Sequence, residues 1–304
     1  MHKYFICIPK KLRKFYKYTS TVNTSTVKEQ IYKPYKSILK SSSFSTYRKE
    51  KNEINIQQSL SFNKNDPHNI LFNNKPFKSG RFGSLYRNND YVIKRFKQWK
   101  DYEHEKMIYE IMAIKKNTLL IKNVCSYVSF SDDSKCITLI YYGIDLHTYI
   151  NDNGIMDIKD CKRMCYYINL GLFYINSHGY IYGDLKKENV CLKNDNIFHP
   201  VIIDLGSCSK TRPTITMETS SPESLQLKKI TYKHDIWTLG ILYMECITMC
   251  YTKPKLVRDN IYPFYNGSNE EMKKLRSDEF FTNLTCFEPM NRRALFQLNG
   301  LNLL

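Results

Sequence analysis

Two carboxylates and an amide lie close together in the chain, in a pattern suited to moving a phosphoryl group. Asp184 opens Asp184-Leu185-Lys186-Lys187-Glu188-Asn189, and the apolar Val190-Cys191-Leu192 follows. Val201-Ile202-Ile203 then runs into Asp204-Leu205-Gly206. Asp184 can orient a hydroxyl and accept its proton. Asn189 and Asp204 offer oxygens to Mg²⁺, and Lys186 can neutralise charge on a transferring phosphate. Taken singly, each is also an ordinary polar residue of a surface turn.

Nearer the amino end, Ser79-Gly80-Arg81-Phe82-Gly83-Ser84-Leu85 sets two glycines three apart between strand-like runs. Without a Cβ the backbone can come close to phosphates, with Phe82 at the loop tip. The same residues also suit a plain hairpin turn. Lys94 ends Tyr91-Val92-Ile93-Lys94, after an Asn88-Asn89-Asp90 turn. A helical pattern, Tyr102–Ile114, then carries Glu103, Glu105 and Glu110, with Met107, Ile108, Ile111 and Met112 expected inside. An ion pair between Lys94 and a glutamate on that helix would aim the ammonium at phosphate oxygens. The alternative leaves all three glutamates in solvent.

The elements that must hold these residues change character along the chain. Short β-like runs, Leu71–Phe77, Ser84–Arg87, Tyr91–Phe96, Val124–Phe130 and Lys135–Tyr141, dominate up to Tyr141. After Leu146 the pattern is mainly helical, as in Asp157–His178 and Tyr232–Met249. The outline is α+β and two-lobed, with a small β-rich half before a larger helical one. The expected divisions are 1–65, 66–142 and 143–304.

The first of these is an electrostatic arm. Over the 304 residues, 46 Lys and Arg against 29 Asp and Glu give a net charge of +17. Residues 1–50 hold twelve of the basic residues and two acids, Glu29 and Glu50, hence +10. With Ser and Thr abundant and no periodicity, residues 1–65 read as mostly disordered, open to an acidic or nucleic-acid partner. Composition excludes collagen-like and low-complexity fibres. The longest near-apolar run, Ile236 to Tyr251, contains Glu245 and falls short of the ~20 residues of a membrane span. No C-x-x-C occurs among the ten cysteines. Cys161/Cys165 and Cys246/Cys250 are each four apart, as on one helix face, and the chain is expected in a reducing, intracellular compartment, cytoplasm or nucleus.

Over residues 70–304 the chain resembles a eukaryotic-type protein kinase, with seven motifs in family order. Ser79–Leu85 resembles G-x-G-x-x-G-x-V with Lys78 at the first glycine, and Tyr91–Lys94 resembles V-A-I-K. Asp184–Asn189 resembles D-L-K-x-x-N, and Asp204-Leu205-Gly206 resembles D-F-G. Ser221-Pro222-Glu223 resembles A-P-E, Asp235–Gly240 resembles D-x-W-S-x-G, and Glu288–Arg292 resembles D-P-x-x-R. Thr216–Glu223 and Tyr142–Ile150 look most like serine/threonine kinases of large DNA viruses, the alphaherpesvirus unique-short-region kinase among them.

The resemblance implies a serine/threonine kinase that uses ATP and Mg²⁺. Lys94 would hold the α- and β-phosphates with Glu105 orienting it, under a roof of Ser79, Gly80, Phe82, Gly83 and Leu85. Asp184 would be the base, Lys186 would steady the γ-phosphate, and Asn189 and Asp204 would hold metal. Thr216 would bridge Asp184 and Lys186, Asp235 would brace the catalytic loop, and Glu223 would pair with Arg292. Glu188 and Asp145 would favour protein substrates with Arg ahead of the target hydroxyl. Tyr182-Gly183 stands where the family has His-Arg, so no arginine there can clamp a phosphate on the activation segment. The cysteines read as mostly structural; Cys208, two past Gly206, is the exception to watch, since that position could lie near the nucleotide. The competing readings are a kinase-like scaffold with little turnover, and a nucleic-acid-binding module that would explain the charge alone.

Overall fold

The structure, a computed structural model, describes residues 75–113, 122–226, 229–257 and 260–292. The basic arm expected over 1–65 lies outside them.

Short runs rich in Tyr, Phe, Ile and Val make the small half a sheet. Its strands are β1 (Lys78–Ser79), β2 (Gly83–Asn88), β3 (Tyr91–Phe96), β4 (Tyr127–Ser131) and β5 (Cys136–Ile140), in the order β1-β2-β3-β5-β4. All neighbours are antiparallel. Strand β3 is central, and Lys94 lies opposite Leu85 on one side and Ile137 on the other. The run expected over 71–77 reaches the described residues only at its end. Phe77 there is a bend, with its N–H donated to the Leu85 carbonyl.

Helix α1 (Trp99–Ala113) buries Tyr102, Glu105, Ile108, Tyr109 and Met112, a stripe at helical spacing. Met107 is 41% exposed, which corrects its expected inward place. Two residues on from Glu105 is more than half a turn around the helix.

In the larger half, α2 (Leu146–Asn153) is followed by α3 (Ile158–Ser177). Asp157 caps α3 by accepting the Lys159 and Asp160 amides at 2.8 and 3.2 Å. Asp184–Asn189 leads into a short hairpin, β6 (Val190–Leu192) with β7 (Pro200–Ile202). The one-turn α4 (Pro222–Leu225) precedes α5 (Lys233–Ile247). Helix α5 is apolar nearly all round, so it runs through the core and packs on α3. A second hairpin, β8 (Tyr251–Val257) with β9 (Asn260–Asn266), leads to α6 (Asn269–Ser277) and α7 (Glu279–Leu284).

Of the nine described cysteines, all are free and eight are buried. Cys161 and Cys165 share a face of α3, as their spacing suggests. Cys246 and Cys250 do not share a helix, because the chain turns extended at Thr248. Among the described residues no helix is long and apolar enough to cross a membrane.

Candidate active site

Three elements meet at the Lys94 ammonium. It lies 2.7 Å from Glu105 Oε2 on α1 and 2.7 Å from Asp204 Oδ1 after β7. Of the three candidate glutamates, Glu105 is the one on the buried stripe. Burial alone would lower the Lys94 ammonium, but Asp204 and Glu105 outweigh it and raise it. Burial pushes the Glu105 carboxyl up to about 7 against the pull of Lys94. Two carboxylates share one ammonium, so the lysine is firmly cationic and Glu105 is the weaker acid of the pair. Asp204 stays below the usual carboxylate range: burial would raise it, and Lys94 more than offsets that.

The backbone is shaped for this contact. Asp204 is left-handed (φ 57°, ψ 72°), a conformation an aspartate rarely takes. At Gly206 an added Cβ would lie 2.5 Å from Glu105 Oε2, so only glycine leaves room for the glutamate.

Asp184 gathers a second set. Its Oδ1 accepts the Thr216 hydroxyl at 2.5 Å. Its Oδ2 accepts the Asn189 amide at 3.0 Å and lies 2.9 Å from Lys186 Nζ. Lys186 also donates to the Thr216 hydroxyl at 3.0 Å. Beneath this loop, buried Asp235 accepts the Tyr182 and Gly183 amides at 3.0 and 2.9 Å, which fixes the backbone leading into Asp184.

A cation flanked by two carboxylates thus stands near an oriented carboxylate with its own lysine. Motif order and this geometry meet in one family. The protein kinase domain model matches residues 79–286, more than half of the chain. This chain belongs to the protein kinase domain family. It is 27% identical over 150 residues to a serine/threonine-protein kinase of Suid herpesvirus 1 (strain Kaplan), covering 47% of this chain and 43% of that protein. It is 30% identical over 151 residues to protein kinase C delta type of Homo sapiens, covering 47% and 22%. The serine/threonine-protein kinase US3 homolog of Gallid herpesvirus 2 (strain GA) is 32% identical over 121 residues, covering 36% and 29%. The matches span less than half the length of these relatives.

In this kinase domain the two loop glycines do different work. At Gly80 an added Cβ would meet open space, whereas at Gly83 it would lie 2.1 Å from the Arg95 carbonyl oxygen. Gly83 therefore lets β2 cross close to β3, while Gly80 leaves the loop open. The loop closes through Gly80 N–H to Gly83 O at 2.9 Å, and Phe82 is exposed at its tip. Ser79 meets Ser84 hydroxyl to hydroxyl at 3.1 Å, and Leu85 lies beside Lys94 in register. Lys97, which sequence reasoning passed over, donates to the Gly80 carbonyl at 2.8 Å.

Gly183 sits at φ +87°, and an added Cβ there would lie 2.3 Å from Pro213 Cβ. The segment itself occupies the space beside the loop. His234 was also missed, although it precedes the motif aspartate. Its ring bridges the Gly183 carbonyl at 3.0 Å and the Ser221 hydroxyl at 2.9 Å, joining the catalytic loop to the segment's end. His104 on α1 meets the Cys208 carbonyl at 3.0 Å. Cys208 itself is fully buried, and burial pushes its thiol well above the ordinary range. Burial thus favours the structural reading for Cys208 over the reactive alternative, since a reactive cysteine is an accessible thiolate.

Asp145 caps α2 by accepting the Thr148 amide at 2.8 Å, so one of its oxygens is already engaged. Glu188 lies 3.7 Å from His147 and is 40% exposed at its side chain.

Proposed function

We propose that this chain is a serine/threonine protein kinase, transferring the γ-phosphoryl group of ATP to protein hydroxyls. The observation that carries the reading is the pairing of Lys94 with Glu105 and Asp204 beside an Asp184 already held by Lys186, Asn189 and Thr216. Asp184 takes the hydroxyl proton as oxygen attacks the γ-phosphorus, and the bond to the β-phosphate oxygen breaks to leave ADP. Lys94 holds the α- and β-phosphates, and Lys186 steadies the γ-phosphate. Ser79, Gly80, Phe82, Gly83 and Leu85 cover the nucleotide.

Asn189 and Asp204 fit Mg²⁺. One amide oxygen and one carboxylate, completed by phosphates and water, are the oxygen donors this ion takes. Asn189 spends its N–H₂ on Asp184, which leaves the amide oxygen as its remaining donor group. Bound there, Mg²⁺ would neutralise phosphate charge.

Charge supports two finer assignments. Glu188, partly exposed beside the catalytic loop, favours a substrate arginine two or three residues before the acceptor. The basic arm favours an acidic or nucleic-acid partner inside the cell, and polyanion binding that ignores salt would overturn this. Pro213 against Gly183 supports turnover without a phosphate on the segment. Herpesviral kinases among the relatives, at 27% and 32% identity, support a viral source, with the human relative between them at 30%.

The test is phosphatase-treated full chain with labelled ATP, Mg²⁺ and a degenerate Ser/Thr peptide library. Label should enter Ser/Thr hydroxyls with Arg enriched ahead of them, and Glu188→Ala should weaken that enrichment. No incorporation would overturn the kinase reading; enrichment of Asp or Glu at those positions would overturn the role of Glu188.

A further inference from the structure

Asp184 directly follows Gly183, a glycine at φ +87° with no side chain to hold it. Glycine has the freest backbone of any residue, so a base mounted after one needs its peptide units fixed from outside. All four backbone polar groups of Tyr182 and Gly183 have partners. Asp235 accepts both amides, at 3.0 and 2.9 Å, and the Ser207 hydroxyl donates to the Tyr182 carbonyl at 2.8 Å. The fourth group, the Gly183 carbonyl, belongs to the peptide that joins Gly183 to Asp184. Its partner is His234 Nε2 at 3.0 Å.

A carbonyl only accepts, so Nε2 carries a proton and donates it. The ring is fully buried in the first turn of α5, next in sequence to Asp235. Two consecutive residues of one helix thus hold the peptide units on either side of Gly183.

The other ring nitrogen faces the segment. His234 Nδ1 lies 2.9 Å from the hydroxyl of Ser221, which stands directly before α4. Ser221 Oγ is 3.0 Å from Ser224 Oγ, and the Ser224 hydroxyl donates to the Ser221 carbonyl at 2.8 Å, so this serine is itself held. Two residues on, Glu223 is gripped by Arg292. The imidazole therefore connects the peptide before Asp184 to the braced end of the segment through side-chain atoms alone.

We propose that His234 is a positioning residue for phosphotransfer: its ring holds the Gly183–Asp184 peptide, and with it the Asp184 carboxylate, in register with Ser221 at the segment's end. The proposal rests on the kinase reading. It assigns the coupling of catalytic loop and segment to a buried side chain that touches neither nucleotide nor acceptor.

The experiment uses the full chain as wild type, Ser221→Ala, His234→Leu, His234→Gln and the double variant Ser221→Ala with His234→Leu. Glutamine brings an amide N–H₂ to the reach of Nε2, whereas leucine fills space without a donor. Initial rates with MgATP and one Ser/Thr peptide read kcat and KM. Hydrogen–deuterium exchange reads the backbone over 182–185, and thermal melting reads the fold. His234→Leu should lower kcat roughly 10–10²-fold, the cost of a base displaced by about an ångström, with both KM values unchanged. Exchange over 182–185 should rise in the same variant. His234→Gln should restore kcat and protection together, a repair that a packing role alone does not give. Ser221→Ala should lower kcat less, and should add nothing to His234→Leu, because the serine acts through the ring.

Wild-type kcat in a folded His234→Leu protein overturns the proposal. So does a loss that glutamine leaves unrepaired, or a Ser221→Ala loss that adds in full to that of His234→Leu. If His234→Leu does not fold, His234→Asn takes its place: its amide stops at the Nδ1 position, short of the carbonyl, and the same fall in kcat is expected. No turnover from wild type would instead remove the kinase reading. Exchange over 182–185 would then decide the clamp by itself, a rise in the leucine or asparagine variant upholding it and an unchanged rate overturning it.

Discussion

Asp184→Asn should lower phosphotransfer at least about 10²-fold and leave the fold intact, because a positioned base contributes roughly 10²–10⁴. The amide keeps the size of the carboxylate but cannot take the hydroxyl proton. It also removes the counter-charge 2.9 Å from Lys186, freeing that ammonium from its place beside Thr216. Lys94→Met should cost about as much by another route. It strips the shared cation from Glu105 and Asp204 and leaves two carboxylates facing each other. Glu105, already pushed up to about 7 by burial, would then hold a proton at neutral pH, and the tie between α1 and the Asp204 turn would go. Initial rates with saturating MgATP and peptide, beside circular dichroism and thermal melting, separate lost chemistry from lost fold. A folded Asp184→Asn protein with wild-type rate would remove Asp184 from the role of base.

The second large effect is on stability. The Arg292 guanidinium is 1% exposed and uses all its donors. Nη1 and Nη2 donate to Glu223 Oε1 and Oε2 at 2.6 and 2.7 Å, and Nε donates to the Cys286 carbonyl at 2.8 Å. The Lys233 and Phe287 carbonyls take the remaining two at 3.0 and 3.2 Å. Losing one partner of such a buried pair costs about 3–5 kcal/mol. Arg292→Ala and Glu223→Gln should both lower the unfolding free energy, read from urea melts, by an amount of that order, with a matching fall in the midpoint. Arg292→Lys should not rescue it, since an ammonium cannot reproduce the fork. Burial alone would raise the Glu223 carboxyl, but Arg292 outweighs it and holds the group below its usual range. Glu223 thus adds stability above the unfolded carboxyl value, and the contribution is lost as pH falls through the lower folded one. The gap between wild type and Glu223→Gln should therefore narrow in acid. An unchanged midpoint at neutral pH would show the pair to be dispensable.

Much of this kinase domain is legible in the chain because its chemistry sits in short contiguous motifs. Asp184 to Asn189 spans a single turn and strand entrance, so local spacing alone brings Asp184, Lys186 and Asn189 together. Strand β3 and helix α3 are legible for a related reason. Tyr91–Phe96 is an apolar, β-branched run just after the Asn88-Asn89-Asp90 turn, and Asp157 announces a helix whose buried residues recur every three or four positions.

What the chain leaves open are choices among equivalents, and those depend on contacts far apart in sequence. Glu103, Glu105 and Glu110 are alike as residues; packing of α1 on the sheet and the missing Cβ of Gly206 select Glu105. Gly80 and Gly83 look like a matched pair until the Arg95 carbonyl, on the neighbouring strand, claims the space at Gly83. Cys208 reads as a thiol near a nucleotide, and only burial by residues from several elements makes it inert. His234 stands just before the motif aspartate, but its partners, Gly183 and Ser221, are brought near only by the tertiary fold. The amino-acid sequence by itself determined the family and the order of the elements, and it supplied the candidate site residues, because hydrophobic period and motif spacing act over a few residues. The tertiary structure decided which glutamate meets Lys94 and which glycine is structural, because those depend on side-chain volume and strand register between distant segments.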